Sequence, residues 1–320
     1  MKAVVLENLS GPSGLTLRDV VEPDSSGKVL IDVRAAGVNY PDLLMTQGAY
    51  QMKVNPPFIP GAEVSGVVLE VPAGSRFNPG DRVLALCGLG GYAQKITVES
   101  SMVIPAPPEL DFVHSVALIA NYQTTYFALS RRAMLLSGET VVVLGAAGGV
   151  GTAAIQVAKG LGAHVIAVVH RDGAGDFLRD LGADDVVQLV DGWAEVVRTL
   201  TRGRGVDIVV DPIGGTAFDD AVRILAPEGR LLVIGFAAGG IPQIKVNRLL
   251  LRNASVLGVG WGEYLRKEPQ ALAEVGKGVA DLVASGMKPA VTDIFRLDEA
   301  RTALERLAGG SVLGKVVLEP

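Results

Sequence analysis

The stretch Val141–Gly151, VVVLGAAGGVG, limits what this chain can fold into more than any other. Val141 to Leu144 read as a short buried strand. The glycines at 145, 148, 149 and 151 read as a tight turn, and Thr152–Gly160 continues at helical spacing. A strand, a glycine turn and a helix suit a dinucleotide for physical reasons. The first glycine permits the turn, the next lets the backbone approach a pyrophosphate, and the third lets the helix pack on the strand. The helix N-terminus adds free N–H groups and the positive end of its dipole. A glycine turn alone also serves as a plain connection, so context decides. A second apolar run, Val165–Val169, follows the helix through Leu161–Ala163, as a βαβ unit requires. The spacing is G-x-x-G-x-x-G, a variant of the G-x-G-x-x-G fingerprint. The segment 141–158 does not read as a membrane span, because it carries Gln156 and several glycines and lacks cationic flanks.

A chain of 320 residues has room for about two domains. Its 40 glycines and 5% aromatic content suit an α/β protein rich in tight turns. A net charge of −5 argues against nucleic acid or an anionic membrane as partner. The single cysteine, Cys87, excludes an intramolecular disulfide and a multi-cysteine zinc site. His114, His164 and His170 are spread along the chain and form no ligand cluster, so no metal is expected. The chain opens on the strand-like MKAVVLE without a secretory signal pattern, and a soluble cytoplasmic protein is expected.

The first third reads as short strands and turns. Residues 2–7 and 28–35 are strands with a turn region between them, Ala36–Tyr50 is a loop entering a short helix, and Ile59–Leu69 is a turn and a strand. Phe112–Met134 has helical spacing. Strands and helices then alternate, with strands at 185–189, 206–210 and 230–234 and helices at 175–181, 193–200 and 218–225. Such alternation predicts a parallel sheet with helices on both faces. Its strand ends would bring Gly145, Val169, Asp211 and Gly235 to one rim. The final elements, a helix around 269–285, a helix at 299–307 capped by Asp298 and a strand at 314–319, are expected to complete the first domain.

These signals together resemble the medium-chain dehydrogenase/reductase superfamily, in its zinc-free quinone oxidoreductase branch. The carriers are AGVNYPDLLMTQGAY at 36–50, IPGAEVSGVV at 59–68, NPGDRV at 78–83, GGYA at 90–93, GAAGGVG at 145–151, DPIGG at 211–215 and LLVIGFA at 231–237. Their order and spacing cover essentially the whole chain. The resemblance implies an α/β protein with a GroES-like β-rich catalytic domain, residues 1–118 and 256–320, interrupted by a Rossmann doubly wound parallel-sheet domain, residues 119–255. Zinc-binding relatives place a cysteine where Asn39 stands and a histidine where Ala62 stands, and their four-cysteine lobe is missing here between Cys87 and Ser100. Without a zinc Lewis acid, alkoxide stabilisation is lost. Hydride delivery to an already polarised acceptor, a quinone or an α,β-unsaturated carbonyl, is then the expected reaction.

The same resemblance nominates the site. Tyr50, in Gly48-Ala49-Tyr50, matches a tyrosine that assists substrate protonation in similar enoyl-thioester reductases; it is either catalytic and substrate-binding or a packing tyrosine. Asn39 and Asp42 match polar cleft positions, Asn39 toward the substrate or the nicotinamide ribose, Asp42 either there or as a helix cap. Cofactor contacts are expected from Asn39, Thr124, Gly145, Ala147, Gly148, Gly149, Val150, Gly235, Phe236, Ala237, Val259 and Lys315. Trp261 is expected at the substrate mouth, with core packing the alternative for it and for Phe236. The second strand ends Val169-His170-Arg171, with no acid before Asp172 to bind a ribose 2′-hydroxyl. His170 and Arg171 suit a 2′-phosphate, which favours NADPH over NADH. The leading expectation is an NADPH-dependent quinone reductase. The alternatives are an enoyl-thioester or enone reductase, and a non-catalytic NADPH-binding protein. A homodimer through an edge strand is expected from the family.

Overall fold

The computed structural model describes residues 1–320. The chain divides into two compact units, Met1–Ala120 with Leu265–Pro320, and Asn121–Tyr264. The sequence had placed the return to the first unit at 256. The reason for the difference is the strand Ser255–Gly258, which pairs in parallel with the sheet of the second unit and belongs to it.

The first unit holds β1 (Lys2–Leu6), β2 (Leu15–Asp19), β3 (Val29–Val38), β4 (Glu63–Glu70), β5 (Arg82–Leu86), β6 (Lys95–Val98) and β7 (Val103–Pro105). The second holds β8 (Thr140–Leu144), β9 (His164–Val169), β10 (Asp185–Gln188), β11 (Val206–Asp211), β12 (Leu225–Val233) and β13 (Ser255–Gly258). The closing strands β14 (Val291–Arg296) and β15 (Lys315–Glu319) return to the first unit.

In the first unit β3 is the organising strand. It pairs antiparallel with β15, β4 and β6, in the order β14-β15-β3-β4-β5-β7. With neighbours on both edges, it is apolar along nearly its whole length rather than alternating. The region between the first two expected strands is not only turn. β2 lies there and pairs with β1, Lys2 opposite Asp19. It escaped the sequence reading because its apolar face is only Leu15 and Leu17, of which Leu15 alone packs on the core, and the other side chains are polar and exposed.

In the second unit all pairings are parallel, in the order β10-β9-β8-β11-β12-β13. β8 and β11 lie at the centre, with helices on the faces, and Val141–Val143 and Ile208–Val210 are completely buried. The chain runs outward from β8 through β9 to β10, then returns to β11 on the other side of β8. This reversal places a topological switch point between the C-terminal ends of β8 and β11.

Phe112–Met134 is helical but not one regular α-helix. The α-turns Phe112–Ala117 and Gln123–Tyr126 alternate with π-helical Leu118–Tyr122 and Phe127–Arg132. Within the first π segment the N–H of Ala120 donates to the Glu63 carboxylate, outside the helix, at 2.6 Å. Asp298 does not cap the last helix, Ala300–Ala308. It lies in a 3-10 turn at Leu297–Glu299 and pairs with Arg296, while Glu299 occupies the cap position.

Candidate active site

The glycine loop of the second unit begins where β8 ends. Gly145 has φ of +58°, and a Cβ there would lie 2.7 Å from Cγ2 of Ile213, so the loop packs against the turn that follows β11. Gly151 lies on the helix Gly149–Gly160, and a Cβ there would meet the Gly145 carbonyl oxygen at 2.3 Å. Helix and loop therefore touch backbone to backbone. Gly148 occupies the N-cap, and a Cβ on it would meet nothing closer than 3.5 Å. That side of the loop is open, and the first N–H groups of the helix have no carbonyl within it. A backbone cradle at a helix N-terminus, on a switch point, fits a pyrophosphate. Gly149 and Val150 are half-buried within it. Ala147 is buried, so its contribution is its main chain.

Around the same rim, His170 is exposed just beyond β9 and Arg171 is half-buried after it. Asp211 closes β11 and is buried. Its Oδ1 accepts the N–H groups of Ile213 at 3.0 Å and Gly214 at 2.8 Å, which bends DPIGG into a turn. Burial pushes its carboxyl up, against the pull of those two N–H groups. The turn is stitched to the loop after β12, with Ile234 N–H donating to the Asp211 carbonyl at 2.9 Å and Ala238 N–H to that of Ile213 at 2.9 Å. This holds Gly235, Phe236 and Ala237 at the rim, Phe236 with 41% of its surface exposed. Thr124 is half-buried on its α-turn.

Two of the residues named for the site in this unit are buried. Trp261 is 5% exposed and packs on Phe127, ring centroids 5.0 Å apart, and on Tyr264. It is packed in an aromatic cluster, the core alternative expected for it, and its indole N–H has no acceptor within the protein. Val259 is also buried, its N–H donating to the Val233 carbonyl at 2.9 Å. The residue is 6% exposed.

The first unit contains a polar network that no single motif announced. Asn39, Asp42, Glu63, Tyr92 and Lys315 are all buried, Glu63 with 0% and Lys315 with 2% of its surface exposed. Asn39 Nδ2 donates to Glu63 Oε1 at 2.8 Å. Lys315 Nζ donates to Asn39 Oδ1 at 2.6 Å and also to Glu63 Oε1. Glu63 Oε2 accepts from Ala120 N–H. Asp42 Oδ2 accepts from the backbone N–H of Asn39 at 2.8 Å and from the Tyr92 hydroxyl at 3.0 Å. Gly37 makes room, since a Cβ there would lie 2.1 Å from Glu63 Oε1.

Desolvation is the largest influence on the Asp42 carboxyl, the Tyr92 phenol and the neighbouring Cys87 thiol. Burial raises the Asp42 carboxyl to about 6, against the hydrogen bonds from Asn39 and Tyr92 and the Lys315 charge. Burial likewise pushes the Tyr92 phenol and the Cys87 thiol up, and the nearby Asp42 and Glu63 charges add to both shifts. Asp42 was expected among the catalytic residues. It has no exposed surface, and as the third residue of the helix Tyr40–Thr46 it accepts from the backbone N–H of Asn39, the N-cap. Lys315 was expected to reach the cofactor, yet its ammonium is bonded inward to Asn39 and Glu63. Asn39 keeps 8% of its surface exposed. Tyr50 is half-buried in a bend, and its hydroxyl makes no hydrogen bond within the protein. Glu63 and Tyr92 were missed. The available signals were an acid inside the apolar run IPGAEVSGVV and the tyrosine of GGYA.

Comparison with known proteins agrees with this arrangement. The alcohol dehydrogenase GroES-like domain family matches residues 25–108, and the zinc-binding dehydrogenase family matches residues 149–277. Quinone oxidoreductase-like protein 2 of Bos taurus is 34% identical, over 99% of this chain and 92% of that protein. Among solved structures, a probable oxidoreductase from Mycobacterium abscessus is 55% identical with a TM-score of 0.93, covering 100% of this chain and 99% of the other. The quinone oxidoreductase from Thermus thermophilus, also solved in complex with NADPH, is 36% identical with a TM-score of 0.84 over 100% of both chains. The fold, the glycine loop and these similarities together show that the chain belongs to the quinone oxidoreductase branch of the medium-chain dehydrogenase/reductase superfamily.

Proposed function

We propose that this enzyme is an NADPH-dependent, zinc-independent reductase that transfers hydride to a quinone. The observation that carries the reading is the Lys315 ammonium seated on Asn39 and Glu63. These residues do not suit zinc. At the positions where the zinc-binding relatives supply cysteine and histidine, this chain has an amide and the methyl of Ala62. The neighbouring carboxylate is already bonded to a cation, and a thiolate or imidazole donor set is missing.

The second unit suits NADPH, whose nicotinamide supplies the hydride when bound. The Gly145–Gly151 loop and the helix N-terminus hold the pyrophosphate. His170 and Arg171 would hold the 2′-phosphate through charge-assisted hydrogen bonds, and a relative, the Thermus thermophilus quinone oxidoreductase, has been solved in complex with NADPH. Gly235, Phe236, Ala237 and Thr124 border the nicotinamide end. In the first unit Asn39 offers an amide N–H to an acceptor oxygen. A quinone needs no Lewis acid to accept hydride, because its second carbonyl delocalises the developing charge, and the hydroquinone takes its proton from solvent.

A second reading, an enoyl-thioester or enone reductase, is favoured by Tyr50, whose unpartnered phenol suits a proton donor. No helix of the structure is long and apolar enough to cross a membrane. We place the enzyme in the cytoplasm as a homodimer joined at β13, one of the two edge strands of the parallel sheet.

Fluorescence titration with NADPH and NADH, wild type beside Arg171→Ala, tests the cofactor site. The expected result is NADPH preference in the wild type and a loss of about tenfold or more in NADPH affinity in the variant. Equal binding of both cofactors by both proteins would overturn the assignment. Turnover of 1,4-benzoquinone against crotonyl-CoA then separates the two reductase readings.

A further inference from the structure

The Asn39 amide is held at both ends by opposite charges. Its oxygen accepts from the Lys315 ammonium and its nitrogen donates to the Glu63 carboxylate. An amide flip would set the NH2 group against the ammonium and the carbonyl against the carboxylate. Both hydrogen bonds would be lost, and two repulsive contacts would replace them, in surroundings where Glu63 and Lys315 are essentially without solvent. An asparagine in water has no such preference.

The consequence is chemical. Nδ2 carries two hydrogens and gives one to Glu63 Oε1. The second has no acceptor in the protein, and Asn39 retains a small exposed surface. We infer that Lys315 and Glu63 are positioning residues that lock the Asn39 amide so that it presents a fixed N–H donor to an acceptor oxygen of the bound ligand. That oxygen is a ribose hydroxyl of the cofactor or a carbonyl of the acceptor substrate. The inference rests on the reductase reading only for the identity of that oxygen.

The positions of the partners support a dedicated arrangement. Lys315 begins β15, which pairs with β3 immediately before Asn39, Val316 opposite Val38. Glu63 begins β4 on the other edge of β3. Asn39 is therefore approached from both neighbouring strands at the end of the strand that precedes it. A β3 glycine, Gly37, leaves the space that the Glu63 carboxylate occupies. Asp42 and Tyr92 fix the backbone of Asn39 from the remaining side.

The test compares wild type, Asn39→Ala, the charge-neutral pair Lys315→Met with Glu63→Gln, and all three changes together. The introduced glutamine side chain bonds either end of the Asn39 amide, so the double variant frees the flip without stranding a charge. With NADPH and 1,4-benzoquinone, the double variant is expected to lose about 10- to 100-fold in kcat/KM. The triple variant is expected to be no worse than Asn39→Ala alone, because the clamp acts only through that amide. Losses that multiply across the two sets would show a merely structural role and overturn the inference, as would full activity in the double variant.

A second readout needs no turnover. In protein labelled with 15N-asparagine, one Nδ2 proton of Asn39 should be protected from exchange and the other should shift on ligand binding. A shift with NADPH alone assigns the ribose oxygen, and a shift only with NADP+ plus hydroquinone assigns the substrate oxygen. No shift with either overturns the inference. If the wild type reduces no quinone, the quinone reading fails, and the NADPH and hydroquinone titrations still decide the role of the clamp.

Discussion

Asp42 is a carboxyl whose burial is only partly offset, and it should leave a signature in the pH dependence of stability. Its carboxyl rises from the ordinary 3.8 to about 6, chiefly through burial. Between those values the native protein keeps a proton that the unfolded chain has released, so stability falls as pH rises through the window. At about 1.4 kcal/mol per pH unit the difference amounts to about 3 kcal/mol. Asp42→Asn removes the titration while keeping the shape. The amide oxygen still accepts from Asn39 N–H and the Tyr92 hydroxyl. Its NH2 group replaces Oδ1, which has no partner, and the resulting cost of about 1–3 kcal/mol does not depend on pH.

The quantity to measure is the stability difference between wild type and Asp42→Asn at pH values from 4 to 7. Urea unfolding followed by hydrogen-exchange mass spectrometry of peptides covering β3 and β4 reports the first unit alone, which matters in a protein of two units. Asp184 and Asp207 are both buried in part, yet their hydrogen bonds from Lys159 and Arg204 hold them below the usual range. Both contribute the opposite slope, losing stability as pH falls below about 4, and both belong to the second unit. The wild type should lose about 2.4 kcal/mol relative to the variant between pH 4 and pH 7. A difference that changes by less than about 1 kcal/mol over that range would refute the reasoning.

Two further predictions concern the second unit. Gly151→Ala places a methyl 2.3 Å from the Gly145 carbonyl, so the helix must move off the glycine loop; NADPH affinity in a fluorescence titration should fall about 100-fold or more, and unchanged affinity would contradict the cradle. Arg230 makes two hydrogen bonds to Glu139, at 2.8 and 2.7 Å, and both side chains are largely buried; Arg230→Ala should cost about 2 kcal/mol and lower Tm by about 5 °C in a thermal scan, and a shift under about 2 °C would place the pair among ordinary surface bridges.

What was legible in the sequence follows the range of the interactions. The cradle of the second unit could be read because its requirements are local. Gly145, Gly148 and Gly151 lie within one turn and one helical start, and the strands beside them are apolar throughout because both faces are covered. β2 was invisible because most of its side chains are exposed, and Asp298 looked like a cap because cap preference says nothing about where the preceding 3-10 turn lies. The network of the first unit was legible only in pieces. Asn39 and Asp42 drew notice, and Lys315 was noticed for a different role. Lys315 and Asn39 are separated by 276 positions, and no spacing rule links them. For Trp261 a residue type and a position left a substrate-side or a core placement open, because they do not reveal burial; the packing of Phe127 and Tyr264 around the indole does.

Two carboxyls and one ammonium, Asp42, Glu63 and Lys315, are buried together in the first unit, and the placement of the cation bears on the protonation of Asp42. Lys315 bonds to Glu63 and reaches Asp42 only through space. Asp42 is therefore desolvated and bonded only by a backbone N–H and a phenol, and it is the group that takes up a proton. The Lys315 charge pulls its carboxyl down and the Glu63 charge pushes it up. Removing the two charges separately must then move Asp42 in opposite directions. Lys315→Met should raise its midpoint above about 6, and Glu63→Gln should lower it. The carboxyl 13C shift of Asp42, followed through a pH titration of each variant, reads the midpoint without reference to overall stability. Shifts in the same direction would mean that loosened packing and water entry, rather than the two charges, control the group. Opposite shifts would establish that this buried site is balanced by charge, and that the ammonium bonded to Asn39 also bears on the protonation of Asp42, the acid that accepts the Asn39 N–H.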